Sequence, residues 1–174
     1  MPAESSEAPA QNGPLPRAEA EAERLTAAAR EQGITAALIG GIAIYLRCPS
    51  ASHPPLQRDY KDIDLVTTKS MAQRLTRLLE SRGYTPDKRF NALNSGQRML
   101  FWDELHARQL DVFIDEFEMC HKFDLRKRLA IDPTASALPL ADLVLTKMQV
   151  VEMNLKDMKD LAALPQDQPL TRHE

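Results

Sequence analysis

An α+β domain that ends in a short helical extension is the fold class the sequence predicts, and three patterns carry it. Residues 17–32 are mostly Ala, Glu, Arg and Leu without a breaker, a helix-forming run that stops at Gly33. Two later stretches, Lys61 to Leu65 and Gln109 to Ile114, put aspartates on one face and Ile, Leu or Val on the other with the period of a strand. From Leu138 to Leu164 the apolar residues return at helical spacing.

Bulk composition limits what such a chain does. With 174 residues, 43% hydrophobic and 27% charged, it has material for one well-buried domain and is short for two. A net charge of −3 excludes the strongly basic surface of a general nucleic-acid binder. Cys48 and Cys120 lack metal-type spacing and are too few for a disulfide framework. No apolar run reaches membrane-spanning length and no signal-peptide pattern opens the chain, so a cytoplasmic protein without a membrane partner is expected.

Taken in order, residues 1–16 are Ala, Pro, Glu and Ser with little to bury, and disorder is expected there. Residues 17–164 form the expected domain. After the first helix, Ile34 to Ile39 reads as a strand, Gly40-Gly41 as a turn and Ile42 to Leu46 as the start of a helix. Such glycines either cradle a phosphate on free amides or only make a tight turn. Three prolines between Cys48 and Gln57 predict a mobile loop, which delivers the chain to Arg58 and the first aspartate strand.

Asp62 and Asp64 project to the same side of that strand, where they either invite a cation or serve as strand ends and turn caps. Ser70 and Gln73 form a capping-box signature for a helix that Gly83 ends. Extended segments follow at Tyr84–Leu93, Gln97–Trp102 and Gln109–Ile114, the first two joined by an Asn94-Ser95-Gly96 turn. Asp111 lies inside the third, and a charge inside a strand needs a reason. The cluster His121, Lys122, Arg126, Lys127 and Arg128 is either a solvated face or a contact for phosphate or carboxylate.

Pro139 opens the C-terminal helices (139–164), with Leu140, Leu143, Val144, Val150 and Val151 as one stripe and Lys147 in its midst. A lysine there either snorkels to water or ends at a carboxylate or phosphate. Asn154 and Asp157 predict a cap for a last helix that Pro165 stops, leaving residues 165–174 as a polar tail.

In sequence the pieces are Gly40-Gly41, Arg58, Asp62 with Asp64, Asp111 and the Lys147 helix. Together they resemble the nucleotidyltransferase superfamily of polymerase-beta-like fold, in particular its small bacterial antibiotic-modifying and abortive-infection-toxin members. The resemblance runs from about Ala37 to Leu164 and includes the segment Leu140 to Leu161. It departs from the family in a longer interval between Gly41 and Asp62, and in Tyr60 where the small members often carry Thr.

The resemblance implies a small mixed β-sheet flanked by helices and a metal-dependent transfer of a nucleoside monophosphate from a nucleoside triphosphate to a hydroxyl. Asp62, Asp64 and Asp111 would be the catalytic residues and would hold two magnesium ions. Gly40, Gly41, Arg58 and Lys147 would bind the triphosphate, with Arg58 acting either on it or on Asp62. The acceptor is a small molecule, an RNA end or a protein, and the Lys122 to Arg128 cluster would suit a tRNA or an acidic partner. Three adjacent carboxylates also imply that at least one has a raised pKa. The alternatives are a non-catalytic nucleotide-binding or toxin-antitoxin module on the same fold, and an unrelated α+β domain whose aspartates only cap and turn.

Overall fold

The computed structural model describes residues 13–94 and 96–167. Most of the tail expected to be disordered, the polar tail from residue 168, and Ser95 of the expected turn lie outside that range. Helix α1 (Ala18–Glu31) follows the predicted run and buries Ala22, Leu25, Ala28 and Ala29, three or four apart as one helix face requires. Gly33 beyond its end takes a φ of +62°, a conformation that turns the chain into the sheet at little cost only without a Cβ.

The sheet has five strands, β1 (Ala36–Ile39), β2 (Ile63–Thr67), β3 (Thr85–Pro86), β4 (Arg98–Asp103) and β5 (Arg108–Ile114), in the order β1-β2-β5-β4-β3. Strands β2 and β5 run parallel and every other neighbouring pair is antiparallel, the small mixed sheet that was expected. Ile63, Leu65, Leu110 and Val112 are buried on one face of the central strands, which leaves the aspartates of the same strands facing the other way. Helix α2 (Gly40–Arg47) follows β1 directly, with Gly41, Ile42, Ala43 and Ile44 buried. Helix α3 (Lys69–Ser81) follows β2 and packs through Leu75, Leu78 and Leu79.

Five local expectations change. Of Tyr84–Leu93 only Thr85–Pro86 is strand; Lys88–Leu93 is helix α4, because the Asp87 carboxylate accepts the Phe90 amide at 2.9 Å and caps it. The Ser70–Gln73 capping box is not formed. Thr68 holds the N-cap position, the Ser70 hydroxyl meets the Thr68 hydroxyl at 2.9 Å, and the Lys69 amide donates to Asp115 at 3.0 Å.

The Pro-rich loop is packed rather than free: a short 3-10 turn (Pro49–Ser52) buries Cys48 and Ala51, and Ser50 donates twice to Asp167. The basic segment folds into a hairpin, β6 (Glu116–Glu118) and β7 (Lys122–Asp124), followed by helix α5 (Arg126–Ile131). Lys122 pairs with Glu116 and Glu118, Arg126 with Asp124 and Arg128 with Asp142, so most of the cluster's charge is answered within the chain.

The fifth change concerns the C-terminal helices. Helix α6 (Leu140–Lys147) has Pro139 at its N-cap and stops at Lys147, so Val150 and Val151 do not continue its stripe and Val151 is exposed. Helix α7 (Leu155–Gln166) has the Asn154–Asp157 capping box in full. Pro165 sits within its last turn rather than stopping it, near enough to the end for the missing amide to cost one bond. Among the described residues no helix is long and apolar enough to cross a membrane.

Candidate active site

The site forms where β1 hands over to α2 and where the polar face of β2 and β5 meets the last two helices. Register determines which carboxylates meet. Asp64 is opposite Ile39 on β1 and opposite Asp111 on β5, so in the parallel pair both aspartates leave the same face of adjacent strands. Asp62 lies just before β2, exposed, and Asp64 is half-buried.

Gly40 approaches this pair closely. It has a φ of +70°, and a Cβ on it would overlap the Asp64 carboxylate; a Cβ on Gly41 would overlap the Arg58 guanidinium. The two glycines are the first residues of α2 rather than a separate turn, and Ile39 at its N-cap offers no side-chain acceptor. The first-turn amides are thus left for a ligand.

The carboxylates are held differently. Among the described residues no protein donor meets the Asp62 or Asp64 side chain. Asp111 is buried, its Oδ1 accepting from Arg98 at 2.8 Å and its Oδ2 from Gln109 at 2.6 Å. Arg98 lies between the rings of Phe90 and Phe113, 5.6 and 5.0 Å from their centres. Burial pushes the Asp64 carboxyl up to about 7, the Asp111 charge adding to the rise, Lys147 opposing it and Asp62 adding again. One raised carboxyl was expected from crowding; burial is its larger cause and the neighbouring carboxylates add to it.

Lys147 and Arg58 end on two carboxylates of α7, Asp157 and Asp160, which the sequence places in a capped helix without marking them as site residues. The Lys147 ammonium is 2.9 Å from Asp157 and 2.8 Å from Asp160. Arg58 donates from Nε and Nη2 to the two oxygens of Asp160 at 2.8 and 2.7 Å, and from Nη1 to the Asp59 carbonyl at 3.2 Å. It therefore pairs with α7 and not with Asp62, since Asp160 is buried and offers both oxygens in the plane of the guanidinium fork. The same guanidinium lies 4.0 Å above the Tyr60 ring. Burial raises the Tyr60 hydroxyl to about 12.

Asp157 and Asp160 were findable. They stand three apart behind a recognisable cap, which puts both on one face of α7. Arg98 carried only the weaker signal of a charge within a strand.

Two clefts meet at this centre and share Asp64 and Lys147. The first, of about 250 Å³, is strongly polar and reaches Gly41, Arg58, Lys61, Asp62 and Lys156. The second, of about 350 Å³, reaches Gly40 and Arg98 and is walled by Ile39, Phe113, Phe117, Met119 and Val150. Gly40, Asp64 and Lys147 thus border one cleft, and Gly41, Arg58, Asp62, Asp64 and Lys147 the other. As placed, no three His, Cys, Asp or Glu side chains among the described residues stand together as a metal-binding group.

Several solved structures share this architecture. The lincosamide antibiotic adenylyltransferase LnuA, solved with lincomycin bound, aligns at a TM-score of 0.63 and 15% identity, covering 88% of this chain and 100% of that one. ANT(2'')-Ia, solved in complex with adenylyl-2''-tobramycin, aligns at 0.55 and 15% identity over 85% and 87% of the two chains. A solution structure of the same antibiotic-resistance factor gives 0.54 and 14% over 83% and 80%. No protein-family profile matches the sequence. No curated protein matches it either.

Proposed function

We propose, for a chain that has the nucleotidyltransferase fold, that it transfers a nucleoside monophosphate from a nucleoside triphosphate to a hydroxyl of a small molecule. One observation carries the reading most. Asp64 and Asp111 are register partners on parallel strands, Gly40 packs on Asp64, and Lys147 borders the same clefts as Asp64.

In the transfer, the acceptor oxygen bonds to the α-phosphorus as the bond to the β-phosphate bridging oxygen breaks. Pyrophosphate leaves and the acceptor's proton passes to a carboxylate of the Asp64–Asp111 pair. The first-turn amides of α2, including those of Gly40 and Gly41, hold phosphate oxygens. Lys147 spends two donors on Asp157 and Asp160, and its third serves the triphosphate. Arg58 has its fork filled by Asp160, so its task is to hold α7 against the site.

Asp62, Asp64 and Asp111 are the residues that would hold magnesium. The donor set fits, being all oxygen, with two carboxylates that no protein donor engages and one raised pKa that a cation would lower. Magnesium supplies neutralisation of phosphate charge and a more acidic attacking hydroxyl.

The test is incubation with α-labelled ATP, magnesium and lincomycin or tobramycin. Label is expected on a small-molecule product with the wild type, and at least about 100-fold less with Asp64→Asn. ATP binding without any transfer would favour the nucleotide-binding module. Equal transfer by Asp64→Asn would refute the reading.

A further inference from the structure

The two clefts differ in chemistry, and an in-line displacement needs two sides, with the attacking oxygen and the leaving pyrophosphate opposite one another across the α-phosphorus. Asp64 and Lys147 border both clefts, so the reacting phosphorus belongs at their junction and each partner takes one side. The polar cleft gathers Lys61, Lys147 and Lys156 near Gly41, with Arg58 already held by Asp160, and also carries Asp59, Asp62, Asp64 and Asp157, a largely polar lining that suits a departing polyanion with its counter-cations. Besides Gly40 at the start of α2, where the two clefts adjoin, the second cleft offers a triphosphate only Arg98 and Lys147, and Asp111 already holds Arg98.

What the second cleft offers is apolar surface and few charges. Phe113 and Phe117 stand with ring centres 4.8 Å apart and planes tilted by 56°, forming an aromatic wall, and Met119 at the rim is 59% exposed. Its acidic groups are Asp64 and Glu118, set against the two cations Arg98 and Lys147. A polyamine would leave most of its charges without a carboxylate there, and their desolvation would oppose binding. A volume near 350 Å³ suits one small molecule.

Resting on the nucleotidyltransferase reading above, we infer that the acceptor occupies this second cleft and is a hydroxyl-bearing molecule with an apolar face and at most one positive charge. Its apolar part packs on Phe113, Phe117, Met119 and Val150, and Glu118 receives a single amine. This presents its hydroxyl to Asp64, with Asp111 buried behind it.

Calorimetric titration of the full chain without nucleotide tests this. Lincomycin, with one amine and a propyl-substituted ring, is compared with tobramycin, which carries five amines. Lincomycin should bind at least tenfold more tightly. Met119→Glu, at an exposed position that leaves the core intact, should weaken lincomycin at least tenfold, and Phe117→Ala should do the same. The ATP-dependent rise in melting temperature should be unchanged in both.

Tobramycin binding as tightly as lincomycin, absence of lincomycin binding, or lincomycin binding indifferent to Met119→Glu would overturn the inference. So would loss of the ATP-dependent shift in Met119→Glu, which would assign the cleft to the nucleotide base. Lincomycin binding that depends on Met119 but is followed by no label transfer would count against the activity and support the assignment of ligand class.

Discussion

Asp64 and Asp111 are the same residue type, side by side on one face, yet their surroundings divide their properties. Asp111 accepts from Arg98 and Gln109, whereas Asp64 has no protein donor among the described residues and is raised to about 7. In the folded chain Asp64 keeps a proton that the unfolded chain has lost, so stability falls as pH rises from about 4 to about 7. Melting temperatures across that range should show the fall, and Asp64→Asn should flatten it.

Gly40 is constrained twice, by its positive φ and by the Asp64 carboxylate. Gly40→Ala should cost about 2 kcal/mol in a denaturant titration and lower transfer by displacing Asp64. The residues with chemistry at this scale were legible because glycine pairs and alternate aspartates have few other uses. Arg98 was not, since an arginine in a strand has many.

At the level of elements, α7 is the part that completes the centre. Its Asp160 is buried between Arg58 and Lys147, so Asp160→Asn leaves two enclosed cations with one carboxylate. That change should lower stability by about 3 kcal/mol, read as a shifted urea midpoint at unchanged slope. Asp124→Asn, which removes an exposed pairing with Arg126, should leave the midpoint where it was.

Helices α1, α3, α6 and α7 were visible in the sequence through periodicity and, for α7, through its cap. Strands β6 and β7 were not, because three-residue strands show too little alternation to stand out from a charged run. Helix α4 was hidden for a similar reason: a single side-chain cap outweighed the extended look of Tyr84 to Leu93.

For the whole molecule, the mixed sheet brings together residues that are distant in sequence. Ile39, Asp64 and Asp111 come from three strands, and the sequence indicated each one through its local pattern. Their adjacency depends on the strand order and on β2 running parallel to β5, which no local pattern contains. The resemblance to a known family implied a small mixed sheet with the third aspartate on a neighbouring strand, and neither the strand order nor the parallel pairing. The pairings made by Lys122, Arg126 and Arg128 are also a whole-molecule result, because Asp142 joins the cluster from α6.

Lys147 closes one helix, binds two carboxylates of the next and borders both clefts. Through it the site is mechanically continuous with α7, so occupancy of the site should change how often that helix opens. With ATP and magnesium bound, the backbone amides of residues 154–160 should exchange with deuterium more slowly, while those of α4 on the far edge strand's connection keep their rate. Lys147→Met should abolish the difference. Helix α7 would then report on the ligand through its hydrogen exchange, beyond the residues at its N-terminus that border the polar cleft.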